Sequence, residues 1–297
     1  MHITNGSGSM GEREYLFVDG GCLRSSVKAI CKNLFGNENT YRPFLPNFVG
    51  QFDKVFYYDA VSGRDHQEGQ EAYATRVEPE HEKFERLQAL DRVHVALGKI
   101  VGKDRRQKGV DVRLAVDMMT HAFRGKIGRV TLFAGDSDFT PLVQALVSEG
   151  LHVTLWHPPQ ANKDLKGAAD SNRLFSFSTD CERFTINDDQ PAFTALSYDA
   201  RWIDLVKHGA SVFLKLSDQE FSGHWDGATL IIIQMTRDKK AASYFGLYAP
   251  GSSLANALIA FQNIYGWDVA ATGEQWVKSH TPQSLSQFSY AAHSANV

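Results

Sequence analysis

The chain has 297 residues, enough for one large or two ordinary domains, each with its own core. Hydrophobic residues make up 43% and charged residues 22%, the balance of an ordinary globular protein rather than of a membrane-embedded one. The formal charge of -3 excludes a globally basic nucleic-acid binder, so any nucleic-acid surface must be local.

Residues 1–10 read as a tag or disordered start and are set aside. The segment 15–19 is a short apolar strand that ends in Asp19-Gly20-Gly21, so it delivers a carboxylate at its end. Helical spacing follows over 23–34, and a second strand over 54–59. From 62 to 80 the chain is polar and contains glycine, which predicts a loop beside the sheet. A helix is expected over 80–90 and a strand over 93–101. The stretch GKDRRQK at 102–108 places Lys103, Arg105, Arg106 and Lys108 against a single acid, Asp104. It runs directly into Asp111, at the start of a helix predicted over 110–123.

The run 129–134 is apolar without alternation, as a parallel strand buried on both faces reads. It stops at Gly135, and Asp136 and Asp138 follow at once. Helical spacing then covers 139–148, with Pro141 tolerated in the first turn and Gly150 suited to end it. Strands are expected at 152–156 and, more weakly, at 173–178. Alternating strands and helices imply an α/β domain with a mostly parallel sheet flanked by helices.

Beyond this the rhythm changes. Residues 181–191 are polar and end in Pro191, which reads as a linker. Strands at 211–216, 229–235 and 243–248, turns at 224–227 and 237–240, and a helix over 254–264 ending at Gly266 suggest a small α+β accessory domain over 192–281. Trp202, Trp225, Trp267 and Trp276 lie in it, as core or as an aromatic contact surface for a protein partner. Residues 282–297 read as a disordered tail. Cys22, Cys31 and Cys181 are odd in number and lack metal-ligand spacing, which suggests the reduced thiols of a cytoplasmic protein. No run approaches the roughly 18 apolar residues of a membrane span.

The chemistry concentrates in four acids. Asp19, Asp136 and Asp138 fall at strand ends and Asp111 at a helix start. In open α/β sheets the carboxyl ends of the strands are where ligands bind. Taken singly, Asp138 reads as a helix cap and Asp136 as a turn residue. Gathered by the sheet, the four make a site. Two carboxylates about 4 Å apart repel by about 4 kcal/mol at an effective dielectric of about 20, so either a proton or a cation must neutralise them. With no Cys or His in the motif cluster as a ligand pair, the donors are all oxygen, which suits Mg²⁺ or Mn²⁺. The basic loop suits a phosphodiester whose flanking phosphates need cations. Asp117 lies about 240° round the helix from Asp111 and cannot share its direction. Val112, Ala115, Val116 and Met119 read as packing, and His224-Trp225-Asp226 as a structural turn. There is no GxGxxG, P-loop or G-x-S-x-G motif.

Three blocks carry a family resemblance: FVDGG at 17–21, KGVDVRLAVDMM at 108–119 and LFAGDSDFTPLV at 132–143. In order and content they resemble the NYN domain, a PIN-like nuclease fold, over about 14–178. The resemblance implies a nuclease domain over 11–180 that cuts RNA, taken as single-stranded, with Asp19, Asp111, Asp136 and Asp138 as its metal-dependent ribonuclease (endonuclease) site. Where the family's first block usually places Asn, this chain has Cys22. The competing readings are a catalytically degenerate PIN-like module that binds RNA or a protein, and another metal phosphotransferase. A haloacid-dehalogenase-like enzyme needs a second Asp two residues after the first, but Gly20 and Gly21 follow Asp19 here. A toprim-like enzyme has Glu after its first strand.

Overall fold

The computed structural model describes residues 13–65, 67–101, 106–125, 127–197, 210–216, 219–235 and 241–266. In chain order the first elements are β1 (Glu14–Asp19), α1 (Gly20–Phe35), β2 (Arg42–Pro43), α2 (Pro46–Val49), β3 (Lys54–Val61), α3 (Gln70–Gln88), β4 (Val93–Val101), β5 (Arg106–Lys108) and α4 (Val110–Phe123). There follow β6 (Arg129–Phe133), α5 (Thr140–Ser148), β7 (His152–His157), α6 (Lys163–Ala168), β8 (Ser171–Leu174), α7 (Phe177–Asp180), β9 (Phe184–Thr185) and β10 (Thr194–Leu196). The last are β11 (Ala210–Leu216), β12 (Gln219–Trp225), β13 (Thr229–Met235), β14 (Ala241–Tyr248) and α8 (Leu254–Tyr265). Two compact units emerge: Met1–Ser26 with Leu45–Phe175, and Val27–Phe44 with Ser176–Val297.

The first unit is an α/β sandwich. Its sheet runs in the order β5-β4-β3-β1-β6-β7-β8. Every neighbouring pair from β4 to β8 is parallel, and β5 alone is antiparallel, on the edge. From β1 the chain moves outward through β3 and β4, then returns to β6 and moves outward the other way. The order therefore reverses between β1 and β6, and the crevice at such a switch point is the binding place of open α/β sheets. The strands read as unbroken apolar runs because helices cover both faces. On one face Phe17, Leu132 and Leu155 pack under Leu114 and Met118 of α4 and Val143 and Leu146 of α5, all fully buried. On the other, Phe133, Trp156 and Phe175 form an aromatic cluster with Phe48 of α2, ring centroids 5.2–6.3 Å apart.

Three expectations for this unit need correction. The helix expected at 80–90 begins at Gln70 and carries Pro79 inside it, so much of the expected loop 62–80 is helical. Its buried side chains are Val77, Phe84 and Leu87, too few to write an amphipathic stripe into the sequence. The weak strand expected at 173–178 is β8, displaced to Ser171–Leu174. On α4 the inward stripe is Val110, Leu114, Met118 and Ala122, spaced by four. Ala115 and Met119 do pack against the core, but Val112 and Val116, half a turn from Leu114 and Met118, are 68% and 56% exposed.

The second unit holds an antiparallel sheet in the order β10-β14-β13-β12-β11. The sequence suggested three of these strands. β12, QEFSGHW, pairs with β11 and β13 but is too polar and glycine-containing to stand out, and β10 is only three residues long. Helix α8 is capped by Ser253, whose side chain accepts from Asn256 N, and ends at Gly266 with φ 74°, where glycine carries no left-handed penalty. Residues expected as a linker carry buried structure. Cys181–Arg183 make a 3-10 turn, and β9 pairs with β2 through Arg42↔Thr185 and Pro43↔Phe184. Phe35 and Tyr41, from early in the chain, pack with Phe177 and Phe193 in this unit, mostly edge to face, with centroids 4.9–6.0 Å apart. Residues 1–12, 282–297, Trp202, Trp267, Trp276 and the turn at 237–240 lie outside the described residues.

Candidate active site

Asp19 is the last residue of β1 and Asp136 follows β6, so the two adjacent strands at the switch point each deliver an acid to its carboxyl edge. Helix α1 starts at Gly20, immediately after Asp19. A Cβ at Gly20 would lie 2.6 Å from the Tyr57 ring and hydroxyl and 2.7 Å from Asp59 Oδ2, so glycine is what lets α1 begin against β3. Asp19 Oδ1 accepts the Cys22 N–H at 3.0 Å. Burial raises the Asp19 pKa most; the Cys22 N–H opposes this, the Asp111 charge adds to it, and the Gly21 N–H and Arg24 lower it.

Asp111 lies in the first turn of α4, entered through Gly109 at φ 82°. Its pKa is also raised, first by burial and then by the charges of Asp136 and Asp138. The Asp136 side chain caps the 3-10 turn Ser137–Phe139, its Oδ1 accepting Asp138 N–H at 3.1 Å. Asp138 does not cap α5, whose N-cap position is Phe139 without a side-chain hydrogen bond. Asp136 and Asp138 are exposed and Asp19 half-buried, so the group faces solvent. Asp111 feels Asp136 and Asp138, and Asp19 feels Asp111, so Asp111 links the other three electrostatically.

Whether this group fits a divalent ion turns on its donors and spacing. The donors are hard carboxylate oxygens, which fit Mg²⁺ or Mn²⁺. Among the described residues no three His, Cys, Asp or Glu side chains converge closely enough to cage an ion.

Cys22 sits within this group. Its Sγ is 3.5 Å from where a Cβ on Gly135 would be. Its thiol is pushed up to about 12, by burial first and then by Asp19 and Asp136, with Ser26 opposing. At neutral pH it is a protonated thiol, and not a nucleophile. All three cysteines are free.

Asp117 accepts the Tyr58 hydroxyl at 3.0 Å and pairs with Arg113 at 3.8 Å, turned away as helix geometry required. Lys103 and Arg105 lie outside the described residues. Arg106 and Lys108 fall on β5 where it pairs with β4, with their backbones alone described. In the second unit His224 is fully buried, which pulls its pKa down to about 4, and Asp226 Oδ1 accepts the N–H groups of Ala228 and Thr229. His224 is thus a buried residue of strand β12 rather than of the turn expected from 224, and Asp226 alone organises the turn that follows.

Sequence reasoning missed Asp59, a further acid near the end of a parallel strand. It is fully buried, with Oδ1 accepting the Ala60 N–H at 2.7 Å and Oδ2 the Tyr57 hydroxyl at 2.9 Å. Arg24 of α1 forms an ion pair with the same Oδ2. The signal was present in Tyr57-Tyr58-Asp59 at a strand end, but nothing local tied it to Arg24.

The fold is thus a mostly parallel α/β sheet whose switch-point strands β1 and β6 each deliver an acid. The NYN domain model matches residues 15–176, more than half of the chain, and the chain belongs to the NYN domain family. The NYN domain is part of the PIN-like nuclease superfamily. The search of curated proteins found no match. Among solved structures, a Vibrio parahaemolyticus protein of unknown function is 19% identical, covering 56% of this chain and 93% of its own, at a TM-score of 0.39. A proposed oxidoreductase from Parabacteroides merdae is 9% identical, covering 89% and 82%, at a TM-score of 0.25. At such scores neither bears on function.

Proposed function

We propose that the chain is a divalent-metal-dependent ribonuclease that hydrolyses phosphodiester bonds of single-stranded RNA at the crevice between β1 and β6. What supports this is the placement of Asp19 and Asp136 at the switch-point strands, with Asp111 linked electrostatically to Asp19, Asp136 and Asp138, in a chain of the NYN family. Asp19, Asp111, Asp136 and Asp138 would hold Mg²⁺ or Mn²⁺. When bound, such an ion supplies charge neutralisation and Lewis acidity for in-line displacement at phosphorus. Asp136 spends Oδ1 on Asp138 N–H, and Asp19 spends Oδ1 on Cys22 N–H, so both carboxylates are held in fixed orientation. A carboxylate of the group that is not holding the ion would accept a proton from an attacking water. Lys103, Arg105, Arg106 and Lys108 hold the flanking phosphates. The second unit serves target or partner recognition. Free thiols suit a reducing compartment, which supports a cytoplasmic protein, and among the described residues no helix is long and apolar enough to cross a membrane.

A second reading, a degenerate module that binds RNA without cutting it, is favoured by one observation: no three ligands converge among the described residues. Incubating the full chain with a labelled single-stranded RNA, with Mn²⁺ or with chelator, separates the two. Cleavage that needs the ion and is lost in Asp136→Asn supports the ribonuclease. Binding without cleavage under every ion condition supports the module.

A further inference from the structure

A ribonuclease site built from four carboxylates must also draw in a polyanion. The acids repel the phosphates on either side of the one being cut, so cations are needed close to the cluster and fixed in place. Charge drawn from a basic stretch of sequence attracts a polyanion but does not by itself orient it. Arg24 is differently built. It lies in the second turn of α1, and its charge acts directly on Asp19. Its guanidinium is bound on one side to Asp59 Oδ2, and Asp59 is itself fully buried. Asp59 cannot swing: Ala60 N–H holds one oxygen and Tyr57 O–H the other. Gly20 keeps the start of α1 tight against this group, since a Cβ there would strike both Tyr57 and Asp59.

A fully buried carboxylate is weak evidence for stability. Removing an ion from water costs several kcal/mol, and a packed apolar pair of the same volume often serves the fold as well or better. The Asp59–Arg24 pair therefore calls for a use. Guanidinium carries five N–H donors in a planar fork, and one edge on a carboxylate leaves others for a second anion. The Arg24 side chain is 36% exposed, so solvent and ligands reach it. A planar cation held through Nη1, partly open, and within electrostatic reach of Asp19 is pre-organised for a phosphate.

We propose that Arg24, clamped by the buried Asp59 carboxylate, grips the RNA phosphate next to the one being cleaved, with Asp59 as a positioning residue that never touches RNA. The inference rests on the ribonuclease reading and names a cation for its substrate. Arg24 orients RNA so that the scissile phosphate meets the acids, and Asp59 and Tyr57 fix the angle at which it does so.

The test uses the full chain, a labelled single-stranded oligouridylate and Mn²⁺. Arg24→Gln should raise KM about tenfold, with the loss carried by KM more than by kcat. In an Asp136→Asn background, where RNA binds uncut, Arg24→Gln should weaken binding by a similar factor. It should also flatten the slope of log K against log salt by about 0.7, the release expected for one single-strand phosphate contact. Asp59→Asn keeps an acceptor for the Ala60 N–H but turns a donor NH2 toward Tyr57 and Arg24, which releases the clamp, and should raise KM by several-fold although it lies out of contact with RNA. Arg24→Lys retains the ion pair, and hence the fold, but not the fork; a raised KM in that variant keeps the test valid if Arg24→Gln fails to fold. A merely structural pair would lower the melting temperature and leave KM and the salt slope unchanged, and that result overturns the proposal. So does a raised KM for Arg24→Gln with none for Asp59→Asn, as regards the clamp. A parent that neither cleaves nor binds the oligouridylate sinks the ribonuclease reading itself. A parent that cleaves while every Arg24 variant matches it sinks only the role given to Arg24.

Discussion

Cutting the chain after Asp180 keeps every acid of the site, yet it should yield a poorly folded protein. The reason lies in the second unit, which draws on Val27–Phe44 as well as on Ser176 onward. Phe193 is fully buried there, its ring 4.9 Å from Tyr41, 5.2 Å from Phe177 and 6.0 Å from Phe35. Phe184, also fully buried, lies 5.1 Å from Phe177. Truncation at 180 removes both rings and the β9 strand that pairs with β2, while Phe35, Tyr41 and Phe177 remain and become exposed. Replacing one such ring by alanine costs about 3–5 kcal/mol through lost burial and the cavity left behind. Losing two, with the surrounding backbone pairing, approaches the whole stability of about 5–15 kcal/mol typical of a domain. Since α1 is one continuous helix whose first residues carry Asp19's N–H partner, disorder beyond Ser26 should spread toward the site. The milder perturbation is Phe193→Ala in the full chain, read by urea denaturation. A loss of about 3 kcal/mol or more is expected. A loss under about 1 kcal/mol, or a 1–180 fragment that melts cooperatively and cleaves RNA, would refute the reasoning.

In metal-free buffer Asp136→Asn should melt at or up to a few degrees above the parent, because a like charge beside Asp111 is removed while asparagine still caps the 3-10 turn; differential scanning calorimetry checks this. Asp19 and Asp111 have folded pKa values above the ordinary 3.8, so the native state holds more protons in that window and parent stability should fall as pH rises from about 3.8 through their folded values; added Mg²⁺ should restore it, as melts across that range would show. His224 gives the opposite slope: its pKa falls from 6.5 to about 4, so acidification across that span should cost up to about 3 kcal/mol, and His224→Leu should flatten the urea-midpoint profile there. Gly20→Ala places a methyl group 2.6 Å from the buried Tyr57 ring and should destabilise by about 1–3 kcal/mol in urea unfolding; an unchanged midpoint would show that α1 does not need the close approach.

Much of the first unit was legible because its strands are buried on both faces and so appear as unbroken apolar runs, each ending where an acid or glycine begins. Val130–Ala134 and Tyr15–Val18 announce themselves this way, and with them Asp19 and Asp136. Helix α3 was half missed because most of its side chains face water, which leaves no period to read, and because Pro79 marks a helix start more often than a helix middle. Asp59 was passed over for a different reason. Its partners are Tyr57 on its own strand and Arg24 on α1, 35 residues away, and a buried ion pair joining distant elements leaves no local pattern. The second unit was the least legible. Its aromatic cluster pairs Phe35 and Tyr41 with Phe177 and Phe193, and the polar look of 181–191 hides the buried Cys181, Arg183 and Phe184.

Soaking crystals of the full chain in Mn²⁺ and locating the ion by its anomalous scattering tests the central claim most directly. The account predicts an anomalous peak at the carboxyl edge between β1 and β6, within ligand distance of one or two of Asp19, Asp111, Asp136 and Asp138, with waters completing its shell, and no such peak in Asp136→Asn at the same concentration. A peak elsewhere on the molecule, or one unchanged by Asp136→Asn, would contradict it.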